Sequence, residues 1–418
     1  MIKIKQFDCG TTLITEKTDY VQSAAIGIWV KSGAIHENET ISGISHFIEH
    51  MMFKGTETRS AKDIANDVDR IGGISNAFTG KEATCYYIKT LSSNIYAGAE
   101  ILIDMVTKSV FDTEEMDKER QVILEEIKMV KDAPDEDVYD TISELVNNAS
   151  PLKMNILGSE ESLMGIDRDK LRDYYQHRYS RDNIVVAVSG NFDEDKIEEV
   201  FAGKLESLNQ STPQVPLAIT PYETQFCVKT KDIEQTHICM AVPSVAMTDE
   251  RYYAFVLMNS IFGGSMSSRL FQKIREEKGL AYSVYSLNAF NSFAGFFNIY
   301  TGVAHDKAEE AIAAIKEELH LFAKDGVTED ELSMAKEQVK STYIFGQENI
   351  NSRMITLGKN KLLIDRVYTP EEILQGFDNV SREDILDAAS IIGDMNNYCA
   401  AAVTGRDIDL EGLIRDDH

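Results

Sequence analysis

The run His46-Phe47-Ile48-Glu49-His50 sets two imidazoles four residues apart with a carboxylate between them. On a helix turning about 100° per residue, His50 lies about 40° from His46 and Glu49 about 60° to the other side. All three therefore project from one face. Two imidazoles so placed hold one zinc ion, and the Glu between them reaches water at the metal. Zinc lowers the pKa of its water to about 7, giving a nucleophile at neutral pH, while Glu49 acts as general base and returns the proton to the leaving group. A catalytic zinc site takes three protein ligands and one open position. The segment Glu119-Arg-Gln-Val-Ile-Leu-Glu-Glu126 offers the third. Glu119 and Glu126 are two helical turns apart and share a face, whereas Glu125 points elsewhere. Glu126 is the expected ligand, with Glu119 behind it to orient a ligand or support the base.

The elements that must carry these groups have their own signals. Ser42 can cap the histidine helix, Gly55 can end it, and Lys54 in its last turn suits the helix dipole. Asp112 followed by Glu115 makes a capping-box-like start for the carboxylate helix. Amphipathic helices are expected over 307–323 and 329–343, and strands near 2–15, 23–32 and 84–90. Strands and helices come in groups rather than in strict alternation, which predicts an α+β fold with helices packed on largely antiparallel sheets.

The middle of the chain breaks this pattern. Pro213, Pro216 and Pro221 are three of its seven prolines, a density that reads as a linker. The expected domains are 1–210 and 223–418, joined by 211–222. The halves repeat: Val185-Val-Ala-Val-Ser-Gly190 resembles Ala400-Ala-Ala-Val-Thr-Gly405, and Ala24-Ala-Ile-Gly-Ile-Trp29-Val resembles Ile238-Cys-Met-Ala-Val-Pro243. Two homologous domains are therefore expected.

Length and composition bound the rest. The chain has 418 residues, 43% hydrophobic and 27% charged, a globular balance. Its net charge of −27 repels phosphate backbones, so nucleic acid is not an expected partner. The acidity suits either solubility or basic peptide substrates. Five scattered cysteines, an odd number without zinc-ribbon spacing, fit a reducing compartment. No stretch reaches the ~18 apolar residues of a membrane span, and the strand-like start Met1-Ile-Lys-Ile-Lys shows no presequence. No membrane association and a cytoplasmic location are expected.

The order His-x-x-Glu-His inverts the commoner His-Glu-x-x-His and marks the inverzincins. The wider run Gly43-Ile-Ser-His46-Phe-Ile-Glu49-His50-Met-Met-Phe-Lys-Gly55-Thr resembles the zinc helix of the pitrilysin, insulin-degrading enzyme and mitochondrial processing peptidase family. In that family a Glu ligand follows some seventy-odd residues downstream, where Glu126 stands. The resemblance spans nearly the whole chain. Gly72-Gly-Ile-Ser-Asn76-Ala77-Phe78-Thr79 looks like the family's edge strand, to which an extended peptide adds through main-chain hydrogen bonds. Arg269-Leu-Phe-Gln-Lys-Ile-Arg275-Glu-Glu-Lys-Gly279-Leu-Ala-Tyr282 resembles its Arg/Tyr element, in which Arg275 binds substrate and Tyr282 also faces the developing oxyanion. Ser150-Pro151-Leu152-Lys153 departs from the His-Pro-Leu-Gly of many relatives. The resemblance implies one zinc per chain and half of a clamshell, completed by a second copy as a homodimer. It implies hydrolysis of peptides or unstructured protein segments. Presequence removal, a non-catalytic partner role and zinc hydrolysis of another substrate are the alternatives.

Overall fold

A computed structural model describes residues 2–210 and 222–415. The stretch expected as one strand over 2–15 is a hairpin. β1 (Ile2–Gln6) and β2 (Thr12–Lys17) pair antiparallel across a turn in which Gly10 takes φ +101°, a conformation that only glycine adopts freely. With β3 (Ser23–Val30), β4 (Ile74–Thr79), β5 (Thr84–Leu91) and β6 (Ile184–Gly190) they form a six-stranded sheet of order β1-β2-β6-β3-β5-β4. The second sheet runs β7-β11-β8-β10-β9, from β7 (Phe226–Thr230), β8 (Gln235–Ser244), β9 (Ala281–Phe290), β10 (Gly295–Ala304) and β11 (Cys399–Thr404).

Leaving β1 aside, the two sheets thread their strands in the same order. Each has one parallel pair, β2 with β6 and β7 with β11, and is antiparallel elsewhere. β3 thereby matches β8, and β6 matches β11, the same segments whose sequences repeat. The fold is α+β with a duplicated topology.

The helices of the first half are α1 (Ile44–Met52), α2 (Ala61–Arg70), α3 (Ile95–Lys108), α4 (Thr113–Asp132), α5 (Pro134–Val146), α6 (Glu160–Gly165), α7 (Arg168–Arg178) and α8 (Glu194–Phe201). Those of the second are α9 (Tyr252–Phe262), α10 (Ala308–Asp325), α11 (Glu329–Gln347), α12 (Ile350–Ile364), α13 (Pro370–Asn379), α14 (Arg382–Ile392) and α15 (Leu410–Ile414). Both amphipathic helices expected from periodicity are present as α10 and α11.

Among the described residues, one compact unit comprises 2–128, 154–210 and 345–367, and another 129–153, 222–344 and 368–415. The expected linker at 211–222 lies outside the described residues except for Tyr222. The units are interleaved in sequence: α5 belongs to the second and α12 to the first. Strand burial explains why. Along β3, Ala24, Ile26, Ile28 and Val30 pack with Phe47 of α1 and Leu102 of α3. The alternate residues Ala25 and Trp29 pack with Met354 and Leu357 of α12. A strand covered on both faces reads as a continuous apolar run, and the second cover comes from the other half of the sequence. Along β8, Ile238 and Met240 face one core, while Cys239 and Ala241 meet Val138 and Ile142 of α5. All five cysteines are free thiols, and Cys85, Cys239 and Cys399 are buried. No helix among the described residues is long and apolar enough to cross a membrane.

Candidate metal centre

α1 buries Ile44, Phe47, Ile48, Met51 and Met52 in the first core, which turns His46, Glu49 and His50 toward α4. The helix starts differently from expectation. Ser42 does not cap it; the N-cap is Gly43, at φ 88°, and has no side chain to give. The carboxylate of Glu37 takes over, accepting from Gly43 N at 2.7 Å and Ser45 N at 2.9 Å, two of the donors that a helix start leaves unpaired. Ser42 instead accepts at its carbonyl from Ser162 Oγ. Gly55, at φ 124°, follows the helix end. On α4, Asp112 Oδ1 accepts from the backbone of Glu114 and Glu115 as the capping reading requires.

The carboxylate helix meets the histidine helix at its expected face. Glu126 Oε2 stands 3.8 Å from Nε2 of both His46 and His50, and one donor atom from each of the three residues lies within 4.8 Å of the others. That spacing is too long for hydrogen bonds. Two donors bound tetrahedrally to one zinc at 2.0–2.1 Å are roughly 3.4 Å apart, so the trio fits a shared ion after a small inward movement. His50 Nδ1 donates to Glu119 Oε2 at 3.0 Å, which turns Nε2 toward Glu126. Lys54 Nζ pairs with Glu119 Oε1 at 2.5 Å. Burial works against charge on Glu119, yet the bonds from Lys54 and His50 prevail and hold its carboxyl below the usual value. Burial, assisted by His50, lowers His46 to about 3, so its imidazole is neutral and ready to ligate at neutral pH.

Glu49 sits beside the trio. Burial raises its pKa, opposed by a hydrogen bond from Thr79 and the charge of His50, and reinforced by Glu126. Thr79 Oγ1 donates to Glu49 Oε2 at 2.5 Å. Thr79 ends β4, an edge strand that among the described residues pairs only with β5. Along it Asn76 Oδ1 accepts from Ala77 N at 2.8 Å, and the half-exposed Phe78 ring meets Trp29 edge-on, 5.4 Å between centroids. In the second unit, Arg275 lies on a π-helical turn, Phe271–Glu277. Its guanidinium stacks between the rings of Phe271 (4.7 Å) and Tyr282 (4.5 Å), and Tyr282, 78% exposed, is the second residue of β9. The structure thus brings together His46, His50, Glu126, Glu119 and Glu49, and separately Arg275 with Tyr282.

Sequence reasoning passed over Glu37, Thr79 and the bond from Lys54 to Glu119. Lys54 carried a signal, since it follows His50 by four residues and would share its face on a continued helix, although α1 ends at Met52 and Lys54 lies just beyond it. A glycine at a helix start also signals that a cap must come from elsewhere.

The family description Insulinase (Peptidase family M16) matches residues 12–160, and the description Peptidase M16 inactive domain matches 165–339. A relative named as an uncharacterized zinc protease, YmxG, from Bacillus subtilis is 40% identical over 386 residues, covering 91% of this chain and 94% of that protein. Among solved structures, a protease from Helicobacter pylori superposes with a TM-score of 0.89 at 21% identity, over 96% of this chain and 99% of the other. A chain of complex III2 from Candida albicans superposes with a TM-score of 0.85 at 19% identity, over 99% of each. The two structures establish the shared fold; the extent and identity of the bacterial relative, with both domain matches, establish more: the chain belongs to the insulinase family of peptidases, M16.

Proposed function

We propose that this chain is a zinc-dependent endopeptidase acting on peptides or unstructured protein segments. The convergence of His46, His50 and Glu126 beside Glu49 carries the reading. His46 and His50 through Nε2 and Glu126 through a carboxylate oxygen would hold one zinc per chain, with Glu119 fixing the His50 ring. Zinc, when bound, supplies Lewis acidity that makes water nucleophilic at neutral pH and polarises the scissile carbonyl. Glu49 takes the proton of the attacking water at Oε1, the oxygen that Thr79 leaves open, and passes it to the leaving amine. Asn76, Ala77 and Phe78 on the β4 edge receive the substrate backbone as an added strand. Tyr282 donates a hydrogen bond to the developing oxyanion and Arg275 anchors a substrate carbonyl, from the second copy in a homodimer.

The test is cleavage of an unstructured peptide by purified protein, with and without chelator, beside Glu49→Gln. The wild type should cut, chelator should stop it, and Glu49→Gln should lose at least about 100-fold in rate while binding zinc at one per chain. A chain that binds zinc and cuts nothing acts as a partner subunit instead.

A further inference from the structure

Thr79 holds the Glu49 carboxylate from the strand proposed to receive substrate. A hydroxyl has one hydrogen to give, and the neighbouring groups settle where it goes. Thr84 Oγ1 stands 3.3 Å from Thr79 Oγ1, but its own hydrogen is committed to the Ser32 carbonyl at 2.8 Å. Thr84 therefore accepts at most, and competes with the Glu49 carboxylate for the Thr79 hydrogen. A charged acceptor makes the stronger bond, so Thr79 donates to Glu49 Oε2. One oxygen of the base is thereby tied and its torsion limited, leaving Oε1 as the oxygen that can meet water.

The position of this hydroxyl in the chain matters as much as its bond. Thr79 is the last residue of β4, one step beyond Phe78, and it pairs in register with Thr84 across the turn to β5. The backbone that would align an extended substrate is thus continuous with the side chain that orients the base. Resting on the peptidase function proposed above, we propose that Thr79 is a positioning residue that sets Glu49 in register with the substrate strand. Displacing a base by about 1 Å costs on the order of 100-fold in rate, so the effect belongs in kcat. Substrate affinity, set by the strand edge, is untouched.

Thr79→Val keeps the shape and removes the hydroxyl; Thr79→Ser restores it without the methyl. Thr79→Val should lose about 10- to 100-fold in kcat with KM within about threefold, and Thr79→Ser should recover most of the loss. Two readouts do not depend on turnover. Zinc content should stay at one per chain, and peptide affinity should match wild type, followed through the fluorescence of the single tryptophan, Trp29, which touches Phe78. A Thr79→Val enzyme with wild-type kcat overturns the proposal. So does a loss expressed in KM or in zinc content, or a loss that Thr79→Ser leaves unrepaired. Failure of the peptidase function itself looks different, because wild type is then inactive alongside every variant.

Discussion

His46 shows what a buried imidazole costs the protein when no metal is present. Burial, with a smaller push from His50, takes its pKa from 6.5 to about 3. Between those values the unfolded chain binds a proton that the folded chain refuses, so stability rises with pH across the window and falls as pH drops from 6.5 toward 3. The contribution of this imidazole to the metal-free protein should therefore fall by on the order of a few kcal/mol through that window, and His46→Gln should make the profile shallower there, leaving the slope that His36, also lowered to about 3 by burial, retains. Urea unfolding in chelator at several pH values measures it; parallel profiles for wild type and variant would show that His46 is not the group responsible. His46, Glu49 and His50 stood out from spacing, because three helical residues one turn apart must share a face, and Glu126 from its two-turn spacing to Glu119 and the family resemblance. Thr79 and Glu37 were not: each meets its partner through tertiary packing, Glu49 across the gap between strand and helix, and the helix start six residues on. Spacing along one element says nothing about such meetings.

At the scale of elements, strands β3, β6, β8 and β11 stood out as apolar runs, and α10 and α11 as amphipathic periods. What covers each sheet face did not stand out. An apolar stripe specifies burial and leaves its partner open, so a division at the proline-rich middle could not show that α12 packs on the first sheet and α5 on the second. The fit of α12 is close. A Cβ built at Gly358 comes within 2.1 Å of Trp29 Nε1, and one at Gly27 within 2.4 Å of Met354 Sδ. Trp29 is 2% exposed and carries Phe78 on its edge, so α12, β3 and the edge strand form one packed series. Gly358→Ala overpacks this contact and should destabilise the protein by about 1–3 kcal/mol. Thermal unfolding checks it, with Trp29 emission as a local probe. An unchanged melting temperature would mean that α12 shifts to admit the methyl group without cost.

For the whole molecule, His46, His50 and Glu126 belong to the first unit and Arg275 with Tyr282 to the second, and the proposed homodimer lets one copy complete the site of another. Mixing two inactive variants tests that directly. Glu49→Gln removes the base and leaves Tyr282 intact; Tyr282→Phe does the reverse. After subunit exchange at equal amounts, half of the dimers are mixed. If Tyr282 acts across the interface, one of the two sites in each mixed dimer has both groups intact, and activity recovers to about a quarter of wild type. If Tyr282 serves the zinc of its own chain, every site in the mixture lacks one group or the other, and no dimer regains activity. Because neither variant alters a zinc ligand, metal content stays the same in both outcomes, and the recovered rate alone separates a shared site from a self-contained one.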